Sequence, residues 1–296
     1  MMMTKEREVF MSRTLYLECN SGISGDMFVA AMLDLGANKD KLQHCLRSIP
    51  IAGFDVQISK VIKSGLEACD FAVILDKDYE NYDHDMQYLH GHETHHHSLQ
   101  SQIHEQPHSC EQPHLYEHAH SNATRGIMEI FKIIEDSDIT ERARKLAKRI
   151  FTIIAESEAK AHGVPIEQVH FHEVGAVDSI VDIIAAAVCM DDLNFEEVII
   201  PVLCEGYGSV RCRHGLLPIP VPAVSNILTK YHLNLKVIDV EGELVTPTGA
   251  AIAAAIITRS KLPKEFVIRK IGIGAGKREY SCVSVLRAFE IEEEMN

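Results

Sequence analysis

Two histidines, three carboxylates and a glycine fall within thirteen residues of this chain, from His170-Phe171-His172-Glu173 through Gly175 and Asp178 to Asp182. An extended segment puts His170 and His172 on one side, and a helix beginning near Asp178 puts Asp178 and Asp182 on one face. Imidazole and carboxylate together suit a borderline or hard divalent cation. His170, His172, Glu173, Asp178 and Asp182 are therefore the candidate metal ligands. In the competing structural reading the histidines are hydrogen-bonded core residues and Asp178 caps the helix. Capping accounts for only one of the carboxylates.

A second stretch, Asn20-Ser21-Gly22-Ile23-Ser24-Gly25-Asp26, lies between a strand-like and a helix-like segment. Its glycines let backbone approach a ligand, and the helix start offers free N–H groups to an anion. Ser21, Gly22, Ser24 and Gly25 are candidate cofactor-binding residues, and Asp26 is a candidate catalytic carboxylate suited to a metal or a ribose hydroxyl. The stretch lacks the Lys-Ser/Thr pair of a P-loop and the third glycine of a dinucleotide fingerprint. A tight structural turn is the alternative. Farther on, Arg211 and Arg213 share one face of an extended segment and suit a phosphate. His214, beside Gly215, is a candidate ligand or general base, or a structural histidine. The prolines Pro218, Pro220 and Pro222 impose an extended rod, with Pro222 placed to open a helix.

The elements that must position these groups alternate. Thr14–Cys19 reads as a buried strand, Met27–Leu35 as a helix ended by Gly36, and Lys41–Ile49 as a second helix. Phe54–Lys60 and Asp70–Leu75 read as a hairpin or neighbouring strands. Helices follow at Arg125–Glu135 and Ile139–His162, the latter with Asp138 as N-cap and Glu141 completing a capping box. The remainder reads as helix 178–193, strand 197–201, helix 222–230, strand 235–240, helix 247–258 and strand 266–273. This pattern predicts an α/β fold, a layered mixed sheet with helices. Between Asp78 and Thr124 there is no Lys or Arg, and eleven histidines lie between His84 and His120. That composition predicts a disordered His-rich insertion with many weak sites for Ni, Cu or Zn, or a solvated linker. The expected organisation is 12–77, the insertion 78–124, and 125–290 completing the core.

The chain of 296 residues carries a formal charge of −14, with 46% apolar and 24% charged residues. The acidic balance argues against nucleic acid or an anionic membrane as partner. The apolar run Ile183–Met190 is too short to span a bilayer. With no export signal read in Met1–Arg13, the eight scattered cysteines are expected to be reduced thiols in the cytoplasm.

Five ordered motifs, Ser21-Gly22-Ile23-Ser24-Gly25-Asp26-Met27, the 170–182 stretch, His214 through Ala223, Val245-Thr246-Pro247-Thr248-Gly249-Ala250-Ala251 and Gly272-Ile273-Gly274-Ala275-Gly276, together resemble the LarC family of nickel insertion proteins. The resemblance implies insertion of nickel into pyridinium-3,5-bisthiocarboxylic acid mononucleotide to form the nickel-pincer cofactor of lactate racemase-type enzymes. It implies a chelatase-type lyase reaction dependent on CTP with Mn²⁺ or Mg²⁺. Full-length members continue into a C-terminal nucleotide-binding domain that these residues lack, so a separate C-terminal polypeptide is the expected partner. No catalytic residue is carried over from the family; the site assignments rest on ligand chemistry. A nickel storage or delivery protein without catalysis is the alternative, and a Zn²⁺ hydrolase using His170, His172 and Asp178 is a third reading.

Overall fold

The computed structural model describes residues 13–76, 125–171, 176–212 and 215–293. The His-rich stretch, His172, Glu173, Arg213 and His214 lie outside the described residues, and His170 is described by its backbone alone.

Strand β1 (Thr14–Glu18) leads into helix α1 (Gly25–Leu35), then α2 (Lys39–Arg47) and the hairpin β2 (Phe54–Lys63) and β3 (Leu66–Leu75). Gly36 ends α1 at φ 121°, a backbone region that suits glycine. Short strands β4 (Arg125–Gly126) and β5 (His170–Phe171) pair across helices α3 (Ile127–Asp136) and α4 (Glu141–His162). Next come α5 (Val177–Leu193), β6 (Glu197–Ile199), β7 (Leu203–Tyr207), β8 (Ser209–Cys212) and β9 (Gly215–Pro218). The chain continues through α6 (Pro222–Tyr231), β10 (Leu235–Glu241), α7 (Pro247–Ile256), β11 (Phe266–Ala275) and β12 (Val285–Glu293).

The main sheet has six strands in the order β2-β3-β11-β12-β1-β6. It is mixed: β1 runs parallel to β6 and antiparallel to β12, and β3 runs parallel to β11. One core unites the segments on either side of the His-rich stretch, with Leu15, Phe28 and Phe71 buried alongside Phe151, Ile184 and Ala250. Helix α7 is buried from Thr248 to Ile256, as its small apolar residues on every face require. Glycines in β11 set how closely α1 approaches the sheet. A Cβ on Gly274 would stand 2.0 Å from the Met27 carbonyl oxygen, and one on Gly272 would stand 2.2 Å from that of Ala31.

The structure revises several sequence expectations. Thr140, not Asp138, caps α4, its side chain accepting from the Ala143 N–H at 3.1 Å. Asp138 faces His44 instead, at 3.3 Å. Strand β12 has no counterpart in the sequence reading, though it fills the gap between β11 and β1. The start of the proline rod forms β9, which pairs with β8 in the register Ser209↔Pro218, and Pro222 opens α6 as expected.

Candidate functional site

A cavity of about 660 Å³ opens where four helices begin. Its wall includes Ser24 to Met27 at the start of α1, Asp178 and Ser179 at the start of α5, Pro222 of α6, and Thr246 to Thr248 at the start of α7. A helix start carries a partial positive charge, which favours an anion nearby. At α7 the Thr246 hydroxyl already accepts from the Gly249 N–H, whereas the starts of α1, α5 and α6 have no side-chain cap. The volume lies in the range of small-molecule sites.

The three aspartates meet on this wall. Asp26 lies in the first turn of α1, where Oδ1 accepts from the Ser24 hydroxyl. Its Oδ2 is buried and has no hydrogen-bond partner among the described residues. Asp178 sits in the first turn of α5, whose N-cap is Ala176 without a side-chain cap, so capping is not what Asp178 does. Asp182 follows one turn later. Burial raises its pKa well above the usual carboxylate range, and the charges of Asp26 and Asp178 push it further. The Lys277 ammonium and the Asp26 N–H act in the opposite direction.

The same cavity is lined by residues that the sequence reading did not single out. Arg278 Nη1 donates to Glu243 Oε2 at 2.7 Å, and the Tyr280 hydroxyl donates to the Glu243 carbonyl at 2.7 Å. Burial alone would lower the Arg278 pKa, but the charge of Glu243, together with Tyr280 and the hydrogen bonds to both, raises it and the group stays cationic. Lys277 pairs with Asp70. Behind this lining stands Glu205 of β7, fully buried, whose Oε1 accepts from the N–H groups of Gly206, Leu244 and Val245 at 2.9, 2.7 and 3.1 Å. Desolvation pushes its carboxyl up to about 7 against the effect of those three donors. A lone charge inside the otherwise apolar segment Val202-Leu203-Cys204-Glu205-Gly206 was the available signal.

Of the residues singled out from sequence, Ser21, Ser24, Gly25, Asp26, Asp178, Asp182 and Arg211 line this one cavity. Gly22 does not. It is buried at φ 83° against Leu244, whose carbonyl accepts from the Ile23 N–H, so a glycine is needed here for the turn and the close approach. Among the described residues no group of three His, Cys, Asp or Glu side chains is arranged to hold a metal ion. The seven described cysteines are free thiols. No helix of the described residues is long and apolar enough to cross a membrane.

Fold and cavity thus define an α/β protein with an open cavity lined by charged residues of both signs. The chain belongs to the nickel insertion protein family, whose model matches residues 15–296. It is 48% identical over 97% of its length to the pyridinium-3,5-bisthiocarboxylic acid mononucleotide nickel insertion protein of Alkaliphilus metalliredigens, covering 62% of that protein. Proteins of the same name from Clostridium acetobutylicum and Acetivibrio thermocellus are 39% and 35% identical over 95% and 94% of the chain, which covers 64% and 60% of them. The chain therefore spans about three-fifths of the length of these relatives. No solved structure matches it.

Proposed function

We propose that this chain carries the site at which nickel is inserted into pyridinium-3,5-bisthiocarboxylic acid mononucleotide, yielding the nickel-pincer cofactor. The observation behind this reading is the convergence of four helix starts and three aspartates on one cavity. The substrate has a phosphate and two thiocarboxylates, which suit the helix starts and Arg211. Asp178 and Asp182, with His170, His172 and Glu173 just before them in sequence, are the proposed donors that hold nickel until the thiocarboxylate sulfurs capture it. Two sulfur–nickel bonds and one carbon–nickel bond form, and the ring carbon gives up its proton. Asp26 and His214 are the proposed acceptors of that proton.

The Ser21–Asp26 loop lacks the Lys-Ser/Thr pair with which a P-loop takes a nucleoside triphosphate and its metal, so CTP with Mn²⁺ or Mg²⁺ is not assigned to it. The nucleotide site belongs, in this proposal, to the portion of the longer relatives that this chain does not cover, acting as a chelatase-type lyase together with it. Incubating the chain with Ni²⁺, the pincer precursor and CTP, with and without that portion of a relative, tests the reading. Nickel-pincer product in the complete mixture supports it, whereas nickel binding without product under every condition points to storage or delivery.

A further inference from the structure

The cavity has a second electrostatic pole. Helix α4 ends at it, and Glu158, Ala161 and His162 of its last turn face the same space as the four helix starts. A helix C-terminus presents unsatisfied carbonyls and a partial negative charge, so this wall favours a cation where the others favour an anion. Glu158 and His162 are four residues apart, which places both side chains on one helix face, and Glu158 Oε2 lies 3.4 Å from His162 Nε2. An imidazole and a carboxylate at this spacing can close on one divalent ion while leaving its other coordination positions open to solvent or substrate.

We infer that Glu158 and His162 form a nickel-loading site on the cavity, from which the ion passes to the substrate held at the helix starts. The inference rests on the reading of the cavity as the insertion site. Two protein ligands suit transfer better than storage, because a closed set of four would hold the ion against the thiocarboxylates. The Glu158 carboxyl is also partly desolvated, and burial raises its pKa. A simple ion pair with no metal role is the competing account, and His44 with Asp138, also a histidine–carboxylate pair at 3.3 Å but away from the cavity, provides its control.

The test is nickel-edge anomalous diffraction from crystals of the full chain soaked in NiCl₂, with the rate of nickel transfer to the pincer precursor measured in parallel in the presence of CTP and the remaining portion of a relative. The expected result is a nickel peak about 2.1 Å from an imidazole nitrogen of His162 and within bonding distance of Glu158. It should be lost in His162→Gln and in Glu158→Gln, and kept in Glu158→Asp and His44→Gln. Transfer at limiting nickel should slow by about tenfold or more in the first two variants, with precursor affinity unchanged. Absence of the peak, or its persistence in both variants, overturns the inference even if insertion proceeds. A peak at this pair in a chain that neither binds the precursor nor forms product, even with CTP and the remaining portion of a relative supplied, upholds the metal site and removes the insertion reading instead.

Discussion

A Cβ placed on Gly25 would lie 2.6 Å from Oδ2 of Asp182 and 2.9 Å from its Cβ, so the first residue of α1 and the second turn of α5 are in direct contact. Glycine at 25 is what lets the two helix starts share one cavity wall. Gly25→Ala should displace Asp182 and cost about 1–3 kcal/mol. Chemical denaturation measures the loss, and precursor binding should weaken with it. An unchanged midpoint would mean that the wall yields freely.

Asp178 lies in a helix start that it does not cap. Asp178→Asn removes one charge near a helix N-terminus, a loss of no more than about 1 kcal/mol. Thermal unfolding should therefore shift little while formation of the nickel-pincer product is abolished. Full activity in this variant would remove Asp178 from the proposed metal site.

Glu205 makes stability depend on pH. Its carboxyl rises from the ordinary 4.5 to about 7 in the folded chain. Between those values the native state holds a proton that the unfolded state has released, so stability falls as pH rises from 4.5 through 7. The full effect is on the order of 3 kcal/mol. Glu205→Gln should flatten this part of the curve, measured by denaturant unfolding from pH 4 to pH 8. The same slope in wild type and variant would place the titration elsewhere.

The His-rich stretch, outside the described residues, is expected to gather nickel and not to form the cavity. Deleting residues 80–122 should lower product formation at limiting Ni²⁺ and spare it at saturating Ni²⁺. Nickel retention by the intact chain should weaken below about pH 6.5 as imidazoles protonate. Loss of activity at saturating metal would show a role beyond supply.

Supplied alone, the chain should bind nickel and leave CTP intact. The remaining portion of a relative, added in trans, should restore CTP turnover and product, followed by phosphate release and product absorbance. CTP hydrolysis by the purified chain would relocate the nucleotide site, with Ser21, Ser24 and Arg211 as the first residues to substitute.

Local pattern determined much of this protein. Hydrophobic periodicity located the seven α-helices of the described residues and most of their long strands, and Pro222 and Gly36 acted through backbone geometry that their own covalent structure dictates. Asp26, Asp178, Asp182 and Arg211 could be picked out as candidates in the same way, because residue type and spacing are local properties, and all four line the cavity. What local pattern did not contain is which ends meet. Strand β12 carries its pairing partners, β11 and β1, on opposite sides, and Tyr16 stacks on Phe289 only because the sheet joins residues far apart in sequence. Arg278, Tyr280 and Glu243 form one wall for the same reason. Nothing local distinguishes them from solvated side chains until β10, α7 and the turn after β11 bring them to a common cavity. Capping shows the limit at the smallest scale. Asp138 and Thr140 are both competent caps, and the competition was decided by where α2 places His44 and where the Ala143 N–H points. Sequence sets what each side chain can do; the packing of distant elements decides which of those capacities face one another.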